Sequence, residues 1–350
     1  ASLLMMGIST SIIGILPPAA SAGVGVVIVL QLMRLAQCFG RGGTWGGGIL
    51  MAYENVPENK RSFYAAIPQI GLPIGFGLSS ILIAVPTLLL PEDIFFTWGW
   101  RIPFLAAIIL TLIVIRQKGE MMETEDYKKA QAKLEAEEAE GKKHKVGFIP
   151  MVKGYWKTLL LGCGTRWVDG TFYNIFIVWI LSYCINWLGM PLIQTYIITI
   201  IACIFKIPFT LFGGWCAQKL GNTRTFVIGA LASAVLSIPT LKVIELSKGN
   251  LAITIIGIVL GWSIAYNLIW AVISSLWSSY FETEVRYSGI SFVYHVPSFL
   301  VAGMVPTICT LLINYGKGDT IYVGIYSTVV ALISAACALA LKARHDRGEK

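Results

Sequence analysis

Along most of its length the chain alternates between apolar runs of roughly 18 or more residues and short polar connections. The runs fall at about 2–16, 24–53, 62–86, 98–116, 155–183, 191–217, 225–245, 250–280, 287–313 and 320–342. They are read as ten membrane spans, several of which exceed one crossing, which predicts tilt or helix continuing beyond the lipid. In hydrocarbon a crossing segment has to satisfy its own backbone, so the runs predict helices. The short alternating segments of a membrane barrel are absent. The expected fold class is therefore an all-α polytopic membrane protein.

Composition agrees with that pattern. Hydrophobic residues make up 56%, charged residues 13%, and the mean hydropathy is +0.71, which leaves too little charge to cover a soluble surface. The net charge of +8 raises the question of nucleic acid, but its distribution answers it. One set of connections holds Lys60 and Arg61, the 116–153 stretch, Lys219 and Arg224, Arg286, and a tail with Lys342, Arg344, Arg347 and Lys350. The alternate set (PPAASAG, PTLLLPEDIFFT, INWLGM, ELSKGN, NYGKGD) carries only Lys248 and Lys317 as cations. This asymmetry is orientation chemistry, and it places the first set, with Ala1 and the 343–350 tail, in the cytoplasm. The expected partner is a lipid bilayer and not nucleic acid. Residues 117–154 are the one strongly charged stretch; its balanced charge and its Ala, Glu, Lys and Leu content predict a solvated helical linker. It separates an N-terminal part, 1–116, from a C-terminal part, 155–342. The seven cysteines lie singly within apolar runs, as packing thiols do. His144, His295 and His345 form no metal or triad spacing, so neither an enzyme, a metal nor a cofactor is expected.

Four motifs then carry a family resemblance: RLAQCFGRGGTWGGG (34–48), AYENVPENKRSFY (52–64), WGWRIPF (98–104) and EVRYSG (284–289). In order and spacing they resemble the major facilitator superfamily. More narrowly, they are similar to its metabolite:proton symporter group of shikimate, α-ketoglutarate, citrate and proline/betaine carriers, the shikimate branch above all. The resemblance runs through essentially the whole chain. It implies twelve helices in two six-helix halves, with 1–116 equivalent to the third to sixth helices and 155–342 to the second half. About ten of twelve helices are then present, and a fragment or a truncated product is expected. The family's loop after its second helix has its second-half counterpart in GGWCAQKLGNTR (213–224), which keeps Gly213, Ala217, Gly221 and Arg224. Gln218 and Lys219 stand where the family has Asp-Arg, so a charge partner of the cytoplasmic gate is lost. Glu54, Arg61, Arg101, Glu284 and Arg286 complete the gate and anchoring positions.

Charges inside a membrane run are costly, which makes each a functional candidate. Asp169 lies one helical turn after Arg166, on the same face, and the family often has a carboxylate early in its seventh helix. Two readings stand: a proton-exchanging or substrate-binding carboxylate, or an ion pair that holds the helix. Asn174 follows in the same stretch. Arg34 and Gln37 match the superfamily's fourth-helix RxxQ pattern, in which the arginine faces the interior. A guanidinium suits a substrate carboxylate because its fork binds two oxygens; pairing with an acid on another helix is the alternative. Thr44 replaces the family's glutamate and cannot titrate, so the proton has to be sought at Asp169. Arg41 replaces an apolar residue and is open to snorkelling, to substrate pairing or to being a lesion. The spacing of Gly43 and Gly47, with Gly71, Gly75 and Gly77, reads as helix-packing surface, and Pro73 as a kink. In the C-terminal part Asn267, Trp270, Tyr294 and His295 lie near mid-span, with His295 either a proton relay or a hydrogen-bonded structural group. Lys206, two residues before Pro208, is a further embedded charge.

The resemblance implies a monomeric secondary carrier of the bacterial plasma (inner) membrane, taking up a small organic acid or zwitterion, shikimate- or dicarboxylate-like, with protons. The alternative from another class is a remnant that transports nothing. No phosphate-binding loop, filter-like loop or ring of charge suggests an ATP-driven pump or a channel.

Overall fold

The computed structural model describes residues 2–18, 23–42, 45–54, 56–118 and 148–348, and every regular element among them is helical. Helix α1 spans Ser2–Ile15, α2 Val24–Gly42 and α3 Trp45–Glu54. After α4 (Arg61–Ala66) and a 3-10 turn at Pro68–Ile70, α5 runs Gly71–Leu89. A short α6 (Glu92–Thr97) leads to α7 (Ile102–Lys118). Next come α8 (Phe148–Tyr173), a π-helical segment at Asn174–Trp179 and α9 (Ile180–Asn186). Helices α10 (Leu192–Leu220) and α11 (Asn222–Leu246) are unbroken. They are followed by α12 (Leu251–Ile258), a second π segment at Val259–Ala265, and α13 (Asn267–Ser278). The last three are α14 (Thr283–Leu300), α15 (Val305–Tyr315) and α16 (Ile321–Asp346).

Among the described residues eight helical stretches are long and apolar enough to cross a membrane; Ser2–Ile15 and Val24–Gly40 are shorter apolar helices. Together they answer the ten expected runs. Two departures have local causes. The PTLLLPEDIFFT connection contains α6, whose first turn holds Glu92 and Asp93, acids that complement the positive end of a helix. Pro73 causes no kink, because α5 begins at Gly71 and a first-turn proline lacks only a donor that had no partner. The helical expectation for the linker falls mostly on 119–147, outside the described residues.

The helices gather into two compact units, residues 1–48 with 78–124, and residues 49–77 with 125–350. This grouping by contact is a separate matter from the expected division into 1–116 and 155–342. In the first unit α1 packs against α2 and α7. Two glycines allow the approach: a Cβ on Gly40 would stand 2.7 Å from the Ser2 carbonyl oxygen, and one on Gly14 would stand 2.7 Å from Phe104 Cβ. Arg101 closes the end of α1. Its Nη1 donates to the carbonyls of Gly14 (2.8 Å) and Leu16 (2.6 Å), which the helix itself leaves without donors.

The second unit buries many hydroxyl side chains among its apolar core and turns apolar ones outward. Thr165, Thr171, Thr210, Ser233, Ser237, Thr254, Ser263, Ser274 and Ser334 are buried, while Leu160, Ile204, Val235, Leu311 and Leu339 face outward. Lipid offers apolar groups no reason to hide, so association rests on close packing and interhelical hydrogen bonds. Ser334 Oγ donates to the Gly164 carbonyl (2.7 Å) and accepts from the Val168 N–H (3.1 Å), tying α16 to α8. At one end, Lys242 Nζ on α11 reaches Glu245 Oε1 (2.9 Å) and Asp319 Oδ1 (2.7 Å). Glu245 Oε2 accepts from the N–H (2.8 Å) and hydroxyl (2.7 Å) of Thr320, at the start of α16.

Replacing Arg101 by Met leaves the Gly14 and Leu16 carbonyls without this donor, and the expected loss is about 2 kcal/mol. Thermal unfolding in detergent would show it, with Lys at 101 recovering part of the loss. The end network predicts an acid effect. The Lys242 ammonium and the Ile321 N–H hold the Asp319 carboxyl below its usual 3.8. A carboxyl so depressed contributes stability that is present above its unfolded value and is lost as pH falls through the folded one. Unfolding followed below about pH 4 should show that loss, and Asp319→Asn should flatten this part of the profile.

Candidate functional site

A buried polar cluster forms where α8, α10, the second π segment and α14 meet. Arg166 and Asp169 occupy one face of α8, at 7% and 1% exposure, and their side chains form an ion pair through Nη1 and Oδ2. The other carboxylate oxygen, Oδ1, accepts a short hydrogen bond from the Tyr266 hydroxyl. The Arg166 guanidinium also lies 4.3 Å from the Tyr294 ring centroid, and its Nη2 donates to Ser298 Oγ at 3.2 Å. Burying two ions costs several kcal/mol each unless pairing and further hydrogen bonds compensate. Here the carboxylate is fully engaged, and the guanidinium rests on an aromatic face, where a cation is attracted by the ring quadrupole.

Lys206, on α10, has no exposed surface. Its ammonium lies 4.4 Å from the Trp262 ring centroid and 4.3 Å from that of Tyr266. Among the described residues its Nζ has no hydrogen-bond partner. Tyr266 thus has a carboxylate at its hydroxyl and an ammonium over its ring.

The backbone fixes these positions. Both π segments adjoin the cluster: one begins at Asn174, a little over a turn past Asp169, and the other ends at Ala265, next to Tyr266. A π turn inserts a residue, rotates the following side chains and frees carbonyls from the regular ladder, a geometry frequent at functional sites. Asn174 Nδ2 caps the Gly170 carbonyl at 2.8 Å. Across the helices, Ser263 Oγ donates to the Ala202 carbonyl (2.8 Å) and Asn267 Nδ2 to the Lys206 carbonyl (2.7 Å). Asn267 also shares hydrogen bonds with Thr210 Oγ1 (3.0 Å). Two α10 carbonyls a turn apart are thereby held, and Lys206 is set in register with Tyr266.

The other candidates lie elsewhere. Trp270 and Gln69 form a reciprocal pair: Trp270 Nε1 donates to the Gln69 carbonyl (3.1 Å), and Gln69 Nε2 to the Trp270 carbonyl (3.3 Å). The His295 ring meets Tyr294 edge-on at 5.1 Å. Arg34 is exposed. Gln37 Nε2 donates to Thr10 Oγ1 at 2.7 Å, so it bridges α2 to α1. Arg41 sits on α2, but its side chain and all of Thr44 lie outside the described residues, as do the side chains of Glu54 and Glu284.

Of the gate positions, Arg61 and Arg286 converge on one ring, 5.4 and 5.8 Å from the centroid of Tyr53. Arg286 Nε also donates to the Phe281 carbonyl at 3.2 Å. Gln218 and Arg224 are exposed, and exposed Lys219 stacks on Trp215 at 4.3 Å. Gly221 joins α10 to α11 at φ +88, a conformation that only glycine adopts without strain. The predicted glycine surface is corrected in part: a Cβ at Gly47, Gly48, Gly71 or Gly75 would meet no atom within 4 Å. Close approach falls instead at Gly213, 2.7 Å from Ala271 Cβ, and at Gly214, 2.7 Å from Ala66 Cβ. Cys38 is exposed and not a buried packing thiol.

Sequence reading missed Tyr266, Trp262, Gln69, Tyr53 and Ser298. Spacing gave no signal for them, since an aromatic or a small polar residue in an apolar run is ordinary until the neighbouring helix is known.

Comparison with known proteins places the site in context. Residues 1–306 match the family model described as Major Facilitator Superfamily. The chain is 32% identical to the inner membrane metabolite transport protein YhjE of Escherichia coli K12, covering 99% of the chain and 77% of that protein. It is 30% identical to the shikimate transporter of the same organism, covering 97% of the chain and 76% of the relative. It is 27% identical to the proline/betaine transporter of Salmonella typhimurium LT2, covering 99% and 69%. Among solved structures, the proton:xylose symporter XylE superposes with a TM-score of 0.73 at 17% identity, over 97% of this chain and 78% of that one.

The ion pair makes a stability prediction. Arg166→Leu or Asp169→Leu alone leaves an uncompensated buried charge and is expected to destabilise by about 3–5 kcal/mol. The double Leu variant should lose less than either single change. Thermal unfolding of the three variants checks it, and a double variant as unstable as the sum of the singles would contradict the buried-pair account.

Proposed function

The chain belongs to the major facilitator superfamily, a transporter and not an enzyme, and from that premise we propose that it is a proton-coupled symporter. The cargo in this reading is a small organic acid or zwitterion. The carrier works as a monomer in the bacterial inner membrane, with its C-terminal tail in the cytoplasm. The halves 1–116 and 155–342 alternate in exposing a midplane site.

The observation that carries the reading is the buried Arg166–Asp169 pair with Tyr266 on the second carboxylate oxygen. A proton that binds Asp169 forms an O–H bond and removes the negative charge opposing Arg166. The freed guanidinium then accepts a substrate carboxylate as its new counter-ion, and its fork suits two oxygens. Release reverses both steps: the substrate leaves, the proton departs and the internal pair re-forms. A proton and an anion thus enter together without changing the charge of the buried cluster. The relatives named above transport shikimate and proline or betaine, and each of those compounds contains a carboxylate. Arg34, and Arg41 on the same helix, are further carboxylate-binding candidates, Asn174 and Asn267 brace the site, and His295 is the candidate relay.

Uptake of labelled shikimate, a dicarboxylate and proline into vesicles, with and without an imposed pH gradient, tests the proposal. The expected outcome is gradient-driven accumulation of one of them, with Asp169→Asn lowering it at least tenfold while substrate exchange persists. Accumulation indifferent to the gradient, or unimpaired by Asp169→Asn, would end the coupling claim.

A further inference from the structure

We propose that Lys206 is a second ionisable group of the coupling unit, and that Tyr266 ties its charge to the charge of Asp169. The inference rests on the reading of Asp169 above and deepens it.

The first ground is the cost of the residue. Lys206 has no exposed surface and its Nζ has no hydrogen-bond partner. A methionine would reach the same aromatic faces without bringing an ammonium out of water, so packing does not account for a lysine here. A charge this expensive inside a membrane bundle marks function by default.

The second ground is the geometry of Tyr266. Its hydroxyl donates to Asp169 Oδ1 while its ring receives the Lys206 ammonium at 4.3 Å. A carboxylate pulling on the phenolic proton raises the electron density of the ring, and a richer ring face holds a cation better. A protonated Asp169 withdraws that pull. Direct Coulomb attraction acts in the same sense, because the carboxylate favours the ammonium and the neutral acid does not. The titratable groups facing this place are Cys203 on α10, Arg166, Asp169 and Tyr173 on α8, Tyr266 itself, and Tyr294 on α14. Asp169 is the only carboxylate among them.

The third ground is position. The α10 carbonyls of Ala202 and Lys206 are held by Ser263 and Asn267, so the backbone that carries Lys206 is held against the segment that carries both rings. The Trp262 indole beneath the ammonium serves as a built-in reporter, at 4.4 Å.

The proton balance is simple. Protonation of Asp169 adds one O–H bond, and the Lys206 ammonium, now less well held, becomes the readier group to release a proton from nitrogen. Two interacting sites titrate as a pair, and of the two steps the one that removes the ammonium charge is the one Trp262 reads.

The experiment reads Trp262 fluorescence in the substrate-free, vesicle-reconstituted chain from about pH 4 to 11, taking wild type minus Trp262→Phe at each pH. One transition is expected in this difference, absent in Lys206→Met. Its midpoint should move by at least about one pH unit, a tenfold change in proton affinity, in Asp169→Asn. Tyr266→Phe keeps the ring but removes the hydroxyl link, and it should also move the midpoint. No transition in the wild type, a transition surviving in Lys206→Met, or an unmoved midpoint in Asp169→Asn would overturn the inference. An unmoved midpoint in Tyr266→Phe alone would remove Tyr266 as the link. If Lys206→Met does not fold, the comparison of wild type with Asp169→Asn still decides. The readout needs no substrate: uptake that ignores the pH gradient while the fluorescence linkage holds would fault the symport reading and leave Lys206 standing.

Discussion

Everything polar in the second unit is governed by one constraint: a charge inside a membrane bundle has to find its counter-charge or its hydrogen bonds there, because hydrocarbon supplies neither. Asp169 meets it with Arg166 on one oxygen and Tyr266 on the other. Arg166 meets it with Asp169, Ser298 and the Tyr294 face. The small hydroxyl side chains around them answer the same demand for the backbone. With these charges in direct contact, any change in the charge of one is felt by the others.

The backbone around the cluster departs from a regular helix at the two π segments, and the departures are useful. A carbonyl of a regular α-helix keeps a second lone pair that a neighbour's donor can use, and an irregular turn re-aims the side chains that supply such donors. Irregular turns at Asn174–Trp179 and Val259–Ala265 accompany side-chain bonds to carbonyls, at Gly170 within α8 and at Ala202 and Lys206 on α10. Positional precision at Lys206 and Tyr266 thus comes from hydrogen bonds of uncharged groups, while the charges remain free to respond to protons.

Much of the fold was legible in the sequence because a bilayer forces apolar runs of fixed length, and run and helix then coincide closely, as at 225–245 against Asn222–Leu246. The Arg166–Asp169 pairing was legible as well, since both residues lie on one helix and the three-residue spacing suffices. What lay across helices was not. Tyr266 is one of 14 tyrosines and Trp262 one of 11 tryptophans, and nothing local distinguishes them from packing aromatics. The glycines show the opposite failure: Gly47, Gly71 and Gly75 look like contact surface in the sequence but meet no described atom within 4 Å, while the tight contacts at Gly213 and Gly214 depend on where Ala271 and Ala66 lie.

The two cations of the cluster are unlike in a way that suits different tasks. A guanidinium keeps its charge throughout the accessible pH range and presents a planar fork, so Arg166 is fitted to hold an anion, as it holds Asp169. An ammonium can give its proton up, and Lys206 rests on ring faces that attract it without accepting a hydrogen bond. Exchanging the two residues would reverse this fitness: arginine at 206 could never discharge, and lysine at 166 could not span two carboxylate oxygens. The gate region lacks such a division. Gln218 cannot carry the charge expected at its position, and Arg61 and Arg286 share the Tyr53 ring.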